Sequence, residues 1–115
     1  MNKMNTRTAS ILTSLAALMT AGLTVHAQYT YRALDDPFAS GGTWAEGISG
    51  TSVVGGYLDN NGVNHGFLYS GGTNWTTLDD PLAGSGSGQG TYANAISGIN
   101  IVGSYVNASL SLIHI

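Results

Sequence analysis

The sequence predicts an all-β chain of two antiparallel, four-stranded repeats resembling β-propeller blades, the second incomplete. Three observations carry this reading. The first is an internal repeat. Leu34-Asp35-Asp36-Pro37 returns 44 residues later as Leu78-Asp79-Asp80-Pro81. Ile48-Ser49-Gly50 and Val54-Gly55-Gly56-Tyr57 return 48 residues later as Ile96-Ser97-Gly98 and Val102-Gly103-Ser104-Tyr105. A period of this size belongs to architectures in which one supersecondary unit stacks on the next. The second is a series of short runs of β-branched and aromatic residues bounded by Gly, Asn, Asp and Ser. The third is the absence of helical apolar spacing after residue 27.

The elements follow in order. Tyr29–Leu34 is a first strand signal, Trp44–Ser49 a second and Ser52–Leu58 a third. His65–Ser70 and Asn74–Leu78 complete one unit of four strands, counted from Trp44. The second repeat supplies Tyr92–Ser97, Ile99–Val106 and Leu110–Ile115. Gly50-Thr51 and Gly98 suit tight hairpins, and Asp59-Asn60-Asn61-Gly62 tolerates the positive φ of primed turns. Ser70-Gly71-Gly72-Thr73 is a further turn, and each Asp-Pro opens a longer loop, at Asp36–Gly42 and Asp80–Gly90. Gly84–Gly90 alternates Gly and Ser and reads as a flexible loop, since no Lys-Ser/Thr follows to make a phosphate cradle. Gly55, Gly56 and Gly103 fall inside strands, where glycine weakens pairing unless another backbone comes close, as between stacked blades.

Repeat 1 thus covers about 34–77 and repeat 2 about 78–115, the latter truncated. Tyr29–Leu34 reads as an orphan fourth strand, equivalent to Trp75–Leu78. Closed propellers use about 4–8 blades, so two imply further repeats, self-association, or instead a small β-sandwich. Where repeat 1 has His65-Gly66-Phe67-Leu68-Tyr69-Ser70-Gly71-Gly72, repeat 2 has Leu110-Ser111-Leu112-Ile113-His114-Ile115. That apolar, unfinished edge is an aggregation hazard and favours a piece of a longer protein.

Lys3 and Arg7 precede an uncharged stretch from Ala9 to Val25, closed by Val25-His26-Ala27. This order of basic, apolar and small residues predicts a secretory signal peptide over 1–27. Thr13, Ser14, Thr20, Gly22 and Thr24 interrupt the apolar stretch, which argues against a spanning helix of ~20 apolar residues. The expected mature region, 28–115, is secreted, extracellular or periplasmic. It keeps one base, Arg32, against Asp35, Asp36, Glu46, Asp59, Asp79 and Asp80. Such a chain cannot neutralise a run of phosphates, which argues against nucleic-acid and anionic-membrane partners. There is no cysteine, so no disulfide framework supports the fold.

Candidate chemistry is sparse, and no cofactor or catalytic residue is assigned. Asp35, Asp36, Asp79 and Asp80 offer oxygen ligands to calcium, but Asp before Pro more simply initiates a turn. Asp59-Asn60-Asn61-Gly62 lacks the downstream Glu of a calcium loop. His65 and His114 have no second ligand at zinc spacing, and His65 reads as bonding backbone beside a turn. Trp44 and Trp75, with Asp79 and Asp80, are the candidate ligand-binding set, since aromatics stack on sugars and anchor protein interfaces. Their repetition, Trp44 with Tyr92 and Tyr57 with Tyr105, favours packing.

The run His65-Gly66-Phe67-Leu68-Tyr69-Ser70-Gly71-Gly72, Trp75 and Leu78-Asp79-Asp80-Pro81 resembles the bacterial extracellular repeats named for a His-Ala-Phe motif (HAF repeats). Ala95-Ile96-Ser97-Gly98 and Ile101-Val102-Gly103-Ser104-Tyr105 complete the likeness. Gly66 replaces the motif's Ala, and the second His-Ala-Phe position is missing. The resemblance implies an exported bacterial repeat protein and no particular activity. The expected function is a non-enzymatic module with a binding or structural role; glycan binding is the alternative, and a secreted hydrolase resting on the acidic loops is a weaker one.

Overall fold

The computed structural model describes residues 27–115, so the predicted leader falls outside the described residues except for Ala27. Ala33–Ile115 forms one compact unit. It is all-β, with seven strands and no helix among the described residues. These are β1 (Thr43–Ser49), β2 (Ser52–Leu58), β3 (Asn64–Tyr69), β4 (Trp75–Leu78), β5 (Gly90–Ser97), β6 (Asn100–Val106) and β7 (Leu112–His114).

β1 to β4 make an antiparallel meander, and β5 to β7 a second. A single parallel rung, Asn64 to Gly90, joins them into one mixed sheet. The sheet curls so that β5 also lies against β1 and β2, which it does not pair. The hairpin β1–β2 turns through Gly50-Thr51 and β5–β6 through Gly98-Ile99, each with φ of 59° at the glycine. Positive φ at the first of two loop residues is the pattern of a II′ turn, which matches the strand twist.

The two meanders share details below the level of the motif. Each first strand carries a bulge at the same place, between Ala45 and Gly47 and between Ala93 and Ala95. The extra residues are Glu46 and Asn94. A bulge bends its strand and sharpens the local twist, which curls both meanders alike.

The core is an aromatic layer on one face of the first meander. Tyr57, Phe67 and Tyr69 are buried, with Leu34, Ala39, Val53 and Trp75 against them. Trp75 tilts against Phe67 and Tyr69 with ring centroids 5.1 and 4.7 Å away. Alternation along β2 puts Val54 and Gly56 on the opposite face, toward β5.

Three expectations need correction. Tyr29–Leu34 forms no strand. A strand is defined by its ladder and not by its composition. Leu34 still packs on the aromatic layer. The Gly84–Gly90 loop is tied down, not flexible. The Gln89 side chain accepts from Gly86 N–H at 2.8 Å, the Gly88 N–H donates to Gly62 O, and Asn64 N–H donates to Gln89 O. Finally, Gly55 and Gly103 are required within their own meander, not by stacking. A Cβ at Gly55 would fall on the Trp44 carbonyl oxygen, and one at Gly103 on the Tyr92 carbonyl oxygen. The glycine on the stacking side is Gly47, whose Cβ would sit 3.3 Å from the Ala95 backbone, a tight contact.

Candidate functional site

Polar residues gather at three places. The first is the pair of Asp-Asp-Pro loops. The Asp36 N–H donates to Thr43 Oγ1 at 3.0 Å, and Asp36 Oδ1 accepts from Phe38 N–H at 2.9 Å. The second loop repeats this: Asp80 N–H donates to Thr91 Oγ1 at 2.9 Å, and Asp80 Oδ1 accepts from Leu82 N–H at 2.8 Å. Carboxylates that bond a backbone amide two residues on make Asx turns. Asp36 is buried, with its second oxygen unpartnered, and Asp35 is exposed. Among the described residues, no three acidic, His or Cys side chains are grouped to hold a metal ion.

The second place is a clamp on His65. Nδ1 lies 2.8 Å from Asp79 Oδ2, and Nε2 lies 3.3 Å from Asp59 Oδ2. The ring also stacks on Tyr57, with centroids 4.9 Å apart and planes at 21°. Tyr57 in turn bonds Thr77 through its hydroxyl at 3.2 Å. Register explains the meeting. His65 is the second residue of β3, just after the Asp59 turn, and Gly66 pairs with Leu78, which sets Asp79 beside the imidazole. Asp59 Oδ1 holds the turn itself, accepting from the Asn61 and Val63 amides.

Burial pushes the His65 pKa down, but hydrogen bonds to Asp79 and Asp59 outweigh it, and the net shift is upward. Both carboxylates can accept only from an imidazolium, which has two N–H donors. The Asp59 pKa is lowered, chiefly by the Val63 amide, against partial desolvation and with help from Asn61 and His65. The sequence context of His65 suggests a bond to backbone; its ring nitrogens instead meet the Asp79 and Asp59 carboxylates. A small cleft of about 130 Å³ adjoins His65, Asp79 and Asp80 beneath the glycine-rich loop.

The third place is a cleft of about 250 Å³ where the two meanders meet, lined by Trp44, Glu46, Tyr92, Asn94, Ser104 and Leu112. Trp44 lies over Gly56, with indole atoms 2.7 to 2.9 Å from where a Cβ would stand. Trp44 and Tyr92 are equivalent repeat positions, and the bulge residues Glu46 and Asn94 sit beside them.

The structure thus separates Trp44 and Trp75 from each other and from Asp79 and Asp80, which share the small cleft by His65. Trp44 borders the inter-repeat cleft, Trp75 belongs to the aromatic core, Asp79 holds His65, and Asp80 builds a turn. Asp59 and Glu46 were missed. A His directly after an Asp-initiated turn was the available signal for Asp59, whereas nothing local marks the bulge at Glu46. No protein-family profile, curated protein or solved structure matches this chain.

Proposed function

We propose that this chain is an exported, non-enzymatic β-repeat module of the HAF-repeat kind, with propeller-type blades and a binding or structural role. The observation that carries the reading is where the chemically capable side chains are used. Both nitrogens of His65 face carboxylates, and Asp36, Asp59 and Asp80 each close a turn. A histidine and acids so engaged hold a scaffold together. The stacking of β5 across β1 and β2 supports the blade reading, because propeller blades pack face to face around an axis. The test is expression with the native leader in a bacterial host. Recovery of a product beginning at Gln28 outside the cytoplasm supports the proposal, and retention of the whole chain inside refutes it.

The Trp44 cleft favours glycan binding as the second reading. An aromatic face beside a carboxylate, an amide and a hydroxyl is the chemistry that grips a sugar ring. Quenching or shifting of Trp fluorescence by a soluble polysaccharide, lost in Trp44→Ala, supports it. A flat titration across a polysaccharide panel removes it.

A further inference from the structure

The contact between the two repeats has two open counterparts, one on each side of the molecule. On the first meander, Val54 faces the second and is 0 % exposed. Its repeat equivalent, Val102, is 54 % exposed. On the second meander, Ala93 faces the first and is 4 % exposed, and Ile96 is half-buried. Their equivalents, Ala45 and Ile48, are exposed, Ile48 at 71 %. So the second repeat has an uncovered copy of the surface that the first uses for stacking. The first repeat has an uncovered copy of the surface that receives it.

We propose that these two surfaces bind each other between copies of this chain, head to tail. The Val102 face of one copy seats on the Ala45–Ile48 face of the next, reproducing the contact already made within each chain. The receiving face is a shallow, mainly apolar groove of about 370 Å³ lined by Leu34, Ala45, Gly47, Ile48 and Val53, with Glu46 its one charged member. A polar mark sets the register. The Gly98 N–H donates to Ser49 Oγ at 3.0 Å, tying the tips of the two first hairpins. Its counterpart is Ser97 Oγ of one copy accepting from the Gly50 N–H of the next, at two exposed tips. Because the surfaces differ, the contact is heterologous, and it closes into a ring or runs on as a fibre. The proposal needs neither export nor a glycan.

The test is light scattering on the purified full chain across micromolar to millimolar concentrations, with Val102→Asp and Ile48→Asp. Both residues are exposed in a single chain, so each variant keeps its β circular dichroism. Val102→Lys and Ala45→Arg serve if either aspartate variant unfolds. The expected results are concentration-dependent multimers of the native chain, a monomer for each variant alone, and a dimer for their equimolar mixture, which retains one working contact. A native chain monomeric throughout, variants that multimerise like it, or a mixture that stays monomeric each overturns the proposal.

Discussion

Leu110 occupies in the second repeat the position that Gly62 occupies in the first. Their φ angles are 62° and 77°. Around them the turns match. Asn107 Oδ1 accepts from Ser109 and Ser111 amides as Asp59 Oδ1 does from Asn61 and Val63. Leu110 is the one non-glycine with positive φ among the described residues. A side chain in the left-handed region costs about 1–2 kcal/mol, partly offset by the chain entropy glycine loses on folding. Leu110 is also largely exposed, so little burial is lost with it. Leu110→Gly is expected to stabilise the chain by about 0.5–1 kcal/mol, read as a higher urea midpoint.

The glycines opposite the bulges behave in the opposite way. Gly55→Ala drives a methyl onto the Trp44 carbonyl, and Gly103→Ala does the same at Tyr92. Backbone cannot yield as a flexible side chain does. Each substitution is expected to destabilise by on the order of 3 kcal/mol, seen in thermal unfolding. An unchanged transition for either would mean that the bulge is not fixed where described.

The His65 clamp gives stability a definite pH dependence. Its pKa is raised from the ordinary 6.5, so the folded state holds the proton more tightly than the unfolded one. That contribution is complete below about 6.5 and is lost as pH climbs through the folded value. Asp59 acts at the other end. Its pKa is lowered from 3.8, so its contribution is present above that value and disappears as pH falls through the folded one. Urea midpoints are expected to drop as pH rises above about 6.5. His65→Gln should flatten that slope and leave the acid limb in place.

Two threonine hydroxyls do equivalent work in the two Asp-Asp-Pro loops. Thr43→Val and Thr91→Val keep shape and remove the acceptor for the Asp36 and Asp80 amides. Each is expected to cost about 1–2 kcal/mol, the penalty of a shielded amide without a partner. The double variant should cost the sum, since the loops lie in different repeats and share no partner.

Local chemistry made much of this fold readable. Ser52–Leu58 matches β2 residue for residue, because β-branched and aromatic residues between two turn signals leave no other period to fit. The Ser-Gly-Gly turn, the internal repeat and the turn role of Asp36 and Asp80 were equally legible; the Asn61-Gly62 turn falls where expected but is not a primed one, since Gly62 has positive φ and Asn61 does not. What escaped depends on partners distant in sequence. Tyr29–Leu34 has strand composition and forms no strand, and a run of residues does not by itself reveal whether an edge is offered to it. The clamp joins Asp59, His65 and Asp79 through strand register, which motif reading does not compute. Direct alignment of the last residues set Leu110 against His65. The observed ladder instead pairs Ile113 with Tyr105 as His65 pairs with Tyr57, so an apolar residue stands in the histidine's place.

The uneven distribution of core residues bears on how the chain acquires its structure during synthesis. Val54, Tyr57, Val63, Phe67 and Tyr69 are buried in the first meander, against only Ala93 and Tyr105 in the second. The first also closes through short hairpins alone, so its ladders need no residue beyond Leu78. Local contacts of that kind form quickly, and N-terminal segments fold while the ribosome is still adding the rest. The first meander therefore serves as a template before β5 emerges. The second, poor in buried side chains of its own, condenses on a surface already made.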